Sequence, residues 1–457
     1  MDYLEFINNK KHLLGDFGFK ANFIPECAFD FQAYAIERAI QKGRIALFLD
    51  TGLGKTLVQL SVARNVIQHT NKKVLILCPL AVGFQFIKEA ELRNITDDIE
   101  ISKDGKHTKK IVIANYERLH YFDESDFECV ILDESSILKN FDGKIKNSIT
   151  AFIKKIPYRF LSTATPSPND FIELGTSSEA LGYMGYMDML GKFFKNNQNS
   201  VDSNNRNIGE KFYLKPHAEK DFFAWVNQWS IMAKMPSDLG NFSDERYRLP
   251  ELITNKHVVK NESLLVLDNQ IQMFNRPAKN FNEIRSEVKQ TIGQRCDKAL
   301  DLASGKTSVY WVNRNEESKI LRLNDSEAVE IIGSQSIDKK EEILKAFADG
   351  EIKRLITKAK MTGMGLNWQH CNHSVFFPTY SYEQYYQAIR RFWRFGQKND
   401  VTIDMVISDG QTRVLEALEQ KTQKAIELHK NLTKNVNSTF VNVKKEFNKE
   451  LIKPNFI

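Results

Sequence analysis

The sequence predicts an α/β protein built from two halves, each a parallel sheet covered by helices, with a helical insertion between them and helices at the C-terminus. Three observations carry this. Short runs of Val, Ile and Leu, apolar on both faces, alternate with helix-like segments, the pattern of strands buried beneath helices on both sides. That rhythm stops near residue 175 and resumes after about residue 300. A chain of 457 residues also exceeds one ordinary domain.

The elements follow in order. RIALFLD (44–50) reads as a buried strand, and TLVQLSVARNVIQ continues as a helix. KVLILCP (73–79), a helix from about Phe84 to Leu92, IVIANY (111–116), CVILDE (129–134) and RFLSTATP (159–166) complete the first half, residues 1–174. Residues 175–250 contain aromatic, helix-like segments without strand rhythm and are expected to be mostly helical. Within them KNNQNSVDSNNRNIG (195–209) reads as an exposed loop. Residues 251–411 are expected to hold linker helices and then the second sheet: TSVYWVN (307–313), AVEIIG (328–333), RLITKA (354–359), HSVFFP (373–378) and VTIDMVI (401–407). From 412 to 457 the chain reads as helical and rich in Lys and Glu.

Composition narrows the class. A hydrophobic share of 42% and a charged share of 27% fit a globular protein. Lys and Arg total 64 against 58 for Asp and Glu, a net charge of +6, compatible with a nucleic-acid partner. The five cysteines include no CxxC pair, which argues against a disulfide framework or a zinc ribbon. The N-terminus lacks the apolar core of a signal peptide, and no uncharged run approaches the ~18 residues of a membrane span. The expected location is the cytoplasm, with no membrane partner.

LDTGLGKT (49–56) lies between a strand and a helix, where backbone N–H groups and the helix N-terminus form an anion site. Thr51, Gly52 and Gly54 shape the turn, Lys55 would neutralise the β- and γ-phosphates of a nucleotide, and the Thr56 hydroxyl would complete a Mg²⁺ shell. The SGKTS at 304–308 also contains GKT, but no strand precedes it and no helix follows, so it reads as a plain loop. VILDESS (130–136) ends a buried strand with two carboxylates. Asp133 suits magnesium, and Glu134 suits the activation of an attacking water. Together the two motifs predict hydrolysis of a nucleoside triphosphate.

With these motifs in order, the chain resembles superfamily 2 helicases, and within them the SWI/SNF-like branch of DNA translocases, over about residues 25–425. The segments that carry the resemblance are FQ (31–32), LDTGLGKT, CPLAVGFQFIKEA (78–90), IVIANYERL (111–119), VILDESSILKN (130–140), LSTATPSPN (161–169), TKAKMTGMGLNW (357–368) and YQAIRRFWRFGQ (386–397). The chain departs from that branch at Ser136, where the family often has His, and at Arg390, which replaces a usual Gly. The basic stretch of chromatin-remodelling relatives is missing from WSIMAKMPSDLG (229–240). The resemblance therefore points to a compact bacterial or phage-type member.

The resemblance implies two RecA-like domains with ATP between them. The first would contribute Gln32 to the adenine, and the second Gly365 together with Arg391 and Arg394 as fingers on the γ-phosphate. On helical spacing the two arginines fall on one face, one turn apart. The surplus Arg390 is expected to meet a DNA phosphate or an acidic neighbour. Nucleic-acid contacts are implied at Pro79, Asn115, Tyr116, Lys358, Thr362 and Asn367. The implied function is an ATP-dependent DNA translocase or helicase in replication, recombination or repair, acting as a monomer on DNA without sequence preference, with replication or recombination proteins as further partners. An RNA helicase and an ATP-gated scaffold without turnover are the alternatives. A strand-separating wedge would be sought among Phe193, Phe194, Trp225 and Trp229, although aromatic core packing is the more ordinary reading of these residues. HCNH (370–373) lacks further ligands for a metal, and the basic tail VKKEFNKELIKPNFI (443–457) reads as a solvated helix.

Overall fold

The computed structural model describes residues 16–80, 82–139, 143–167, 170–196, 212–260, 266–267, 270–271, 281–362, 367–379 and 381–438. The chain divides into two compact units, Met1–Tyr247 with Glu427–Ile457, and Arg248–Ile426.

Seven strands form the first unit's sheet: β1 (Arg44–Leu49), β2 (Lys73–Cys78), β3 (Ile99–Ile101), β4 (Ile111–Asn115), β5 (Phe127–Asp133), β6 (Tyr158–Ser162) and β9 (Ser230–Ala233). They run parallel in the order β3-β4-β2-β5-β6-β1-β9. The five strands expected in this half are all present. β1 and β2 are buried from their second residue onward and β4 is buried throughout, because helices cover both faces.

The region from 175 to 250 departs from its strand-free expectation. Besides helices Leu174–Leu181, Tyr186–Phe193 and Glu219–Trp229, it supplies a small antiparallel pair, β7 (Phe194–Asn196) with β8 (Phe212–Leu214), and the edge strand β9. β9 pairs with β1 from Ala46↔Ser230 to Leu49↔Ala233, so this region completes the first sheet. Residues 197–209 of the expected loop lie outside the described residues. The aromatics considered for a wedge are core residues: Trp229 has no exposed surface and packs edge-on against Phe48 of β1, with ring centroids 6.1 Å apart. Phe193, Phe194 and Trp225 lie in the same core, as does Leu432 from the returning C-terminal helix.

The second unit carries β10 (Leu252–Val259), a short antiparallel pair of β11 (Val266–Leu267) with β12 (Gln270–Ile271), and five further strands, β13 to β17, from Ser308 to Ser408; its main sheet is all parallel, in the order β10-β17-β16-β13-β15-β14. β13 (Ser308–Trp311), β14 (Ala328–Glu330), β15 (Arg354–Thr357), β16 (His373–Phe376) and β17 (Val401–Ser408) match the expected runs. The unit does not open on a helix. Leu252–Val259 is an eight-residue edge strand, β10, and helices follow only at Phe281–Gln290 and Ile292–Ala303. Thr412–Ser438 is helical as expected; the basic tail at 443–457 lies outside the described residues.

Candidate functional site

After Leu49 the chain turns through Asp50–Gly54 and enters helix Lys55–Thr70. Gly52 (φ 96°) and Gly54 (φ 81°) occupy left-handed conformations that residues with a Cβ avoid. Gly54 has a second constraint, since a Cβ there would lie 2.1 Å from Gln32 Nε2. Gln32 is buried; its Nε2 donates to the Leu53 carbonyl (3.0 Å) and its Oε1 accepts from the Phe29 N–H (3.0 Å). Thr51 N–H donates to Asp50 Oδ1 (2.6 Å). Lys55 Nζ donates to the carbonyls of Leu49 (3.0 Å) and Asp50 (3.4 Å), neutral acceptors that a phosphate oxygen would outbid by its charge.

The acidic turn lies beyond the carboxyl end of β5, two strands from β1 in the sheet order. Asp133 and Glu134 are only 6% and 8% exposed, and three elements hold them. Gln59, one turn after Lys55, donates through Nε2 to Asp133 Oδ1 (2.7 Å). Tyr116, after β4, donates its hydroxyl to the Asp133 carbonyl (2.6 Å). Thr163, after β6, donates to Glu134 Oε2 (3.1 Å), while its own N–H binds the Leu47 carbonyl of β1 (3.2 Å). Glu134 itself has φ 53°, a left-handed backbone that costs roughly 1–3 kcal/mol and persists where surrounding contacts over-determine it. Burial, reinforced by the Asp133 charge, pushes the Tyr116 phenol well above its usual range, so it remains a donor.

The helix that follows the glycine turn is thus tied to the acidic pair through Gln59. Oxygen donors of this kind suit Mg²⁺, which keeps several waters and takes few protein ligands. The surroundings fit it: Gln59 Oε1 and Ser135 Oγ are buried and unpartnered among the described residues. Thr56 and Asp133 are the residues that could hold the ion. The reading of the sequence did not include Gln59 or Thr163. Thr163 lies inside the quoted LSTATP, whereas the signal for Gln59 was a polar residue on the apolar face of TLVQLSVARNVIQ.

Two of the residues expected at nucleic acid face inward. Asn115 is 5% and Tyr116 7% exposed. Pro79, Lys358 and Asn367 are half-buried, and Lys358 Nζ donates to Asn315 Oδ1 (2.7 Å). Thr362 ends the short helix Ala359–Thr362, and Gly365 lies outside the described residues.

The helical spacing expected of Arg391 and Arg394 does not occur, because helix Tyr382–Ile389 ends before them. Beyond it the chain tightens: Arg391 N–H binds Ala388 O (3.2 Å) and Arg394 N–H binds Phe392 O (3.2 Å). The Arg391 carbonyl accepts from Trp368 N–H (3.0 Å), and Gly396 reverses the chain at φ 91°. Arg391 is buried, with Nε on the Gln387 carbonyl (3.1 Å), and Arg394 is half-buried. The Arg390 guanidinium carbon lies 5.7 Å from the Tyr386 ring centroid and 5.3 Å from that of Trp393. His373 of HCNH belongs to a buried row: Nδ1 meets Ser308 Oγ (2.8 Å) and Nε2 meets Asp404 Oδ2 (2.9 Å).

Comparison with known proteins gives two matched domains. Residues 29–173 match the DEAD/DEAH box helicase domain, and residues 291–396 match the helicase conserved C-terminal domain. No protein of curated function matches the sequence. Among solved structures, a Dbp5 variant from S. cerevisiae bound to RNA and ADP BeF3 is 13% identical, with a TM-score of 0.53 over 92% of this chain and 100% of that one. A Sulfolobus solfataricus SWI2/SNF2 ATPase core in complex with dsDNA is 16% identical over 92% of this chain and 98% of that one; its TM-score of 0.40 is too low to argue from. The Dbp5 likeness bears on the fold, two RecA-like domains with parallel sheets. No helix among the described residues is long and apolar enough to cross a membrane.

Proposed function

We propose that this chain, which its DEAD/DEAH and helicase C-terminal domains indicate to be a superfamily 2 helicase, couples ATP hydrolysis to movement along DNA. The observation that carries the reading is the 2.7 Å bond from Gln59 to Asp133, which ties the helix entered from the glycine turn to the acidic pair. In this reading Thr51, Gly52 and Gly54 shape the turn whose N–H groups cradle phosphate, Lys55 neutralises the β- and γ-oxygens, and Gln32 meets the adenine. Thr56 and Asp133 hold Mg²⁺, which would supply charge neutralisation at the phosphates. Glu134 orients a water and accepts its proton. Arg391 and Arg394 stabilise the charge of the γ-phosphate in the transition state, a role that permanent charge and a planar fork suit.

Pro79, Lys358, Thr362 and Asn367 are the nucleic-acid contacts of this reading. Asn115 and Tyr116 leave that set because they are buried. DNA is favoured over RNA by the GLN and QxxxRxxRxGQ patterns, and backbone-directed contacts make binding salt-sensitive and indifferent to sequence. The test is the rate of phosphate release with no polymer, single-stranded DNA, duplex DNA and RNA. DNA should stimulate most. Lys55→Ala and Glu134→Gln should each lower the stimulated rate by roughly 10²-fold or more, the scale of losing a key charge or proton acceptor. Greater stimulation by RNA would replace the DNA reading with an RNA helicase. Activity surviving both substitutions would overturn the assignment of the site.

A further inference from the structure

Tyr116 lies on a segment that the sequence assigns to nucleic acid, yet its hydroxyl is spent inside the unit. It donates at 2.6 Å to the carbonyl of Asp133 and is 7% exposed. That carbonyl belongs to the peptide linking Asp133 to Glu134, and the next backbone torsion is the left-handed φ of Glu134, 53°. The two side chains of the acidic pair already have partners, Gln59 on Asp133 and Thr163 on Glu134. Tyr116 acts on the peptide between them.

We infer that Tyr116 is a positioning residue for hydrolysis: its hydroxyl holds the Asp133–Glu134 peptide in the orientation that aims the Glu134 carboxylate at the attacking water. The inference rests on the reading of Glu134 given above. With the peptide carbonyl held by a buried phenol and the carboxylate itself held by Thr163, the Glu134 side chain is fixed from both its backbone and its tip. Small misplacements of a reacting group are costly to rate, while the binding of ATP depends on other atoms.

Tyr116→Phe removes one oxygen and keeps the ring, so it separates aim from packing. The variant should keep its melting temperature within a few degrees and its KM for ATP within about twofold, while kcat falls roughly tenfold. In a Glu134→Gln background the same change should leave the residual single-turnover rate unaltered, because the two act as one unit. A kcat within twofold of wild type would overturn the inference, as would a further loss in the Glu134→Gln background. A Tyr116→Phe chain that does not fold would mark the hydroxyl as structural and overturn it too. A wild-type chain that fails to hydrolyse ATP would instead sink the parent reading, so the two failures are told apart.

Discussion

At the scale of single residues, Gly54 shows how tightly the loop is specified. Alanine there must adopt φ 81° and must also push its Cβ against Gln32 Nε2, 2.1 Å away. The backbone cost alone is about 1–3 kcal/mol. Gly54→Ala should therefore lower the melting temperature of the first unit and weaken nucleotide binding. Adding Gln32→Ala should recover part of the loss in melting temperature, since it removes the collision but not the torsional strain. If the double variant is no better than the single one, the collision is not the cause. Gly52, Gly54, Lys55, Thr56, Asp133 and Glu134 were legible in the sequence because turn chemistry and a strand's end are local signals. The contacts that organise them were not. Gln59 meets Asp133 across 74 residues, Thr163 meets Glu134 across 29 and Tyr116 meets Asp133 across 17. Local pattern marks the candidates for chemistry, but only the folded sheet shows what holds them.

At the scale of elements, the same contrast separates central strands from edge strands. β2, β4 and β5 are apolar on both faces because helices cover both, and they announce themselves as runs of Val, Ile and Leu. β9 is only four residues long and follows helix Glu219–Trp229 without a turn signal, so in sequence SIMA merges with the helical region. β10 carries Thr, Asn, Lys and His on largely exposed positions, the composition of a strand facing solvent rather than a core. β9 matters for the site because it flanks β1, the strand that leads into the phosphate loop. Asp50 N–H, the first after β1, donates to the Ala233 carbonyl at the end of β9 (2.9 Å). Ile231 is fully buried opposite Leu47, so Ile231→Ala should cost about 2–5 kcal/mol. A urea titration should show the lower midpoint, and hydrogen exchange should place the faster opening in β1. Unchanged exchange in β1 would mean that β9 is an accessory edge.

At the scale of the whole molecule, stability should respond to pH through the second unit. His373 is 4% exposed; burial lowers its pKa below the ordinary value, and the hydrogen bond to Asp404 offsets this only in part. The Lys306 ammonium, 3.3 Å from Nε2, adds repulsion to a charged ring. Asp404 is pushed up by burial, but bonds from His257, Asn255 and His373 bring it below the usual carboxylate range. An ionised Asp404 accepts from Nε2–H, which leaves Nδ1 to accept from Ser308. A proton on Nδ1 would turn that bond into a clash of donors until the hydroxyl rotated. The unfolded chain binds this proton near the ordinary histidine pKa of about 6.5, and the folded unit binds it only at lower pH. The stability that neutral His373 provides is therefore complete above about pH 6.5 and is lost as pH falls from there through the folded value. Asp404 adds a second loss at more acid pH, below the ordinary carboxylate value of about 3.9. The denaturant midpoint of the second unit should thus fall between pH 7 and pH 5. His373→Gln should flatten that window and leave the more acid step in place. An equal slope in the variant would move the pH response to another group.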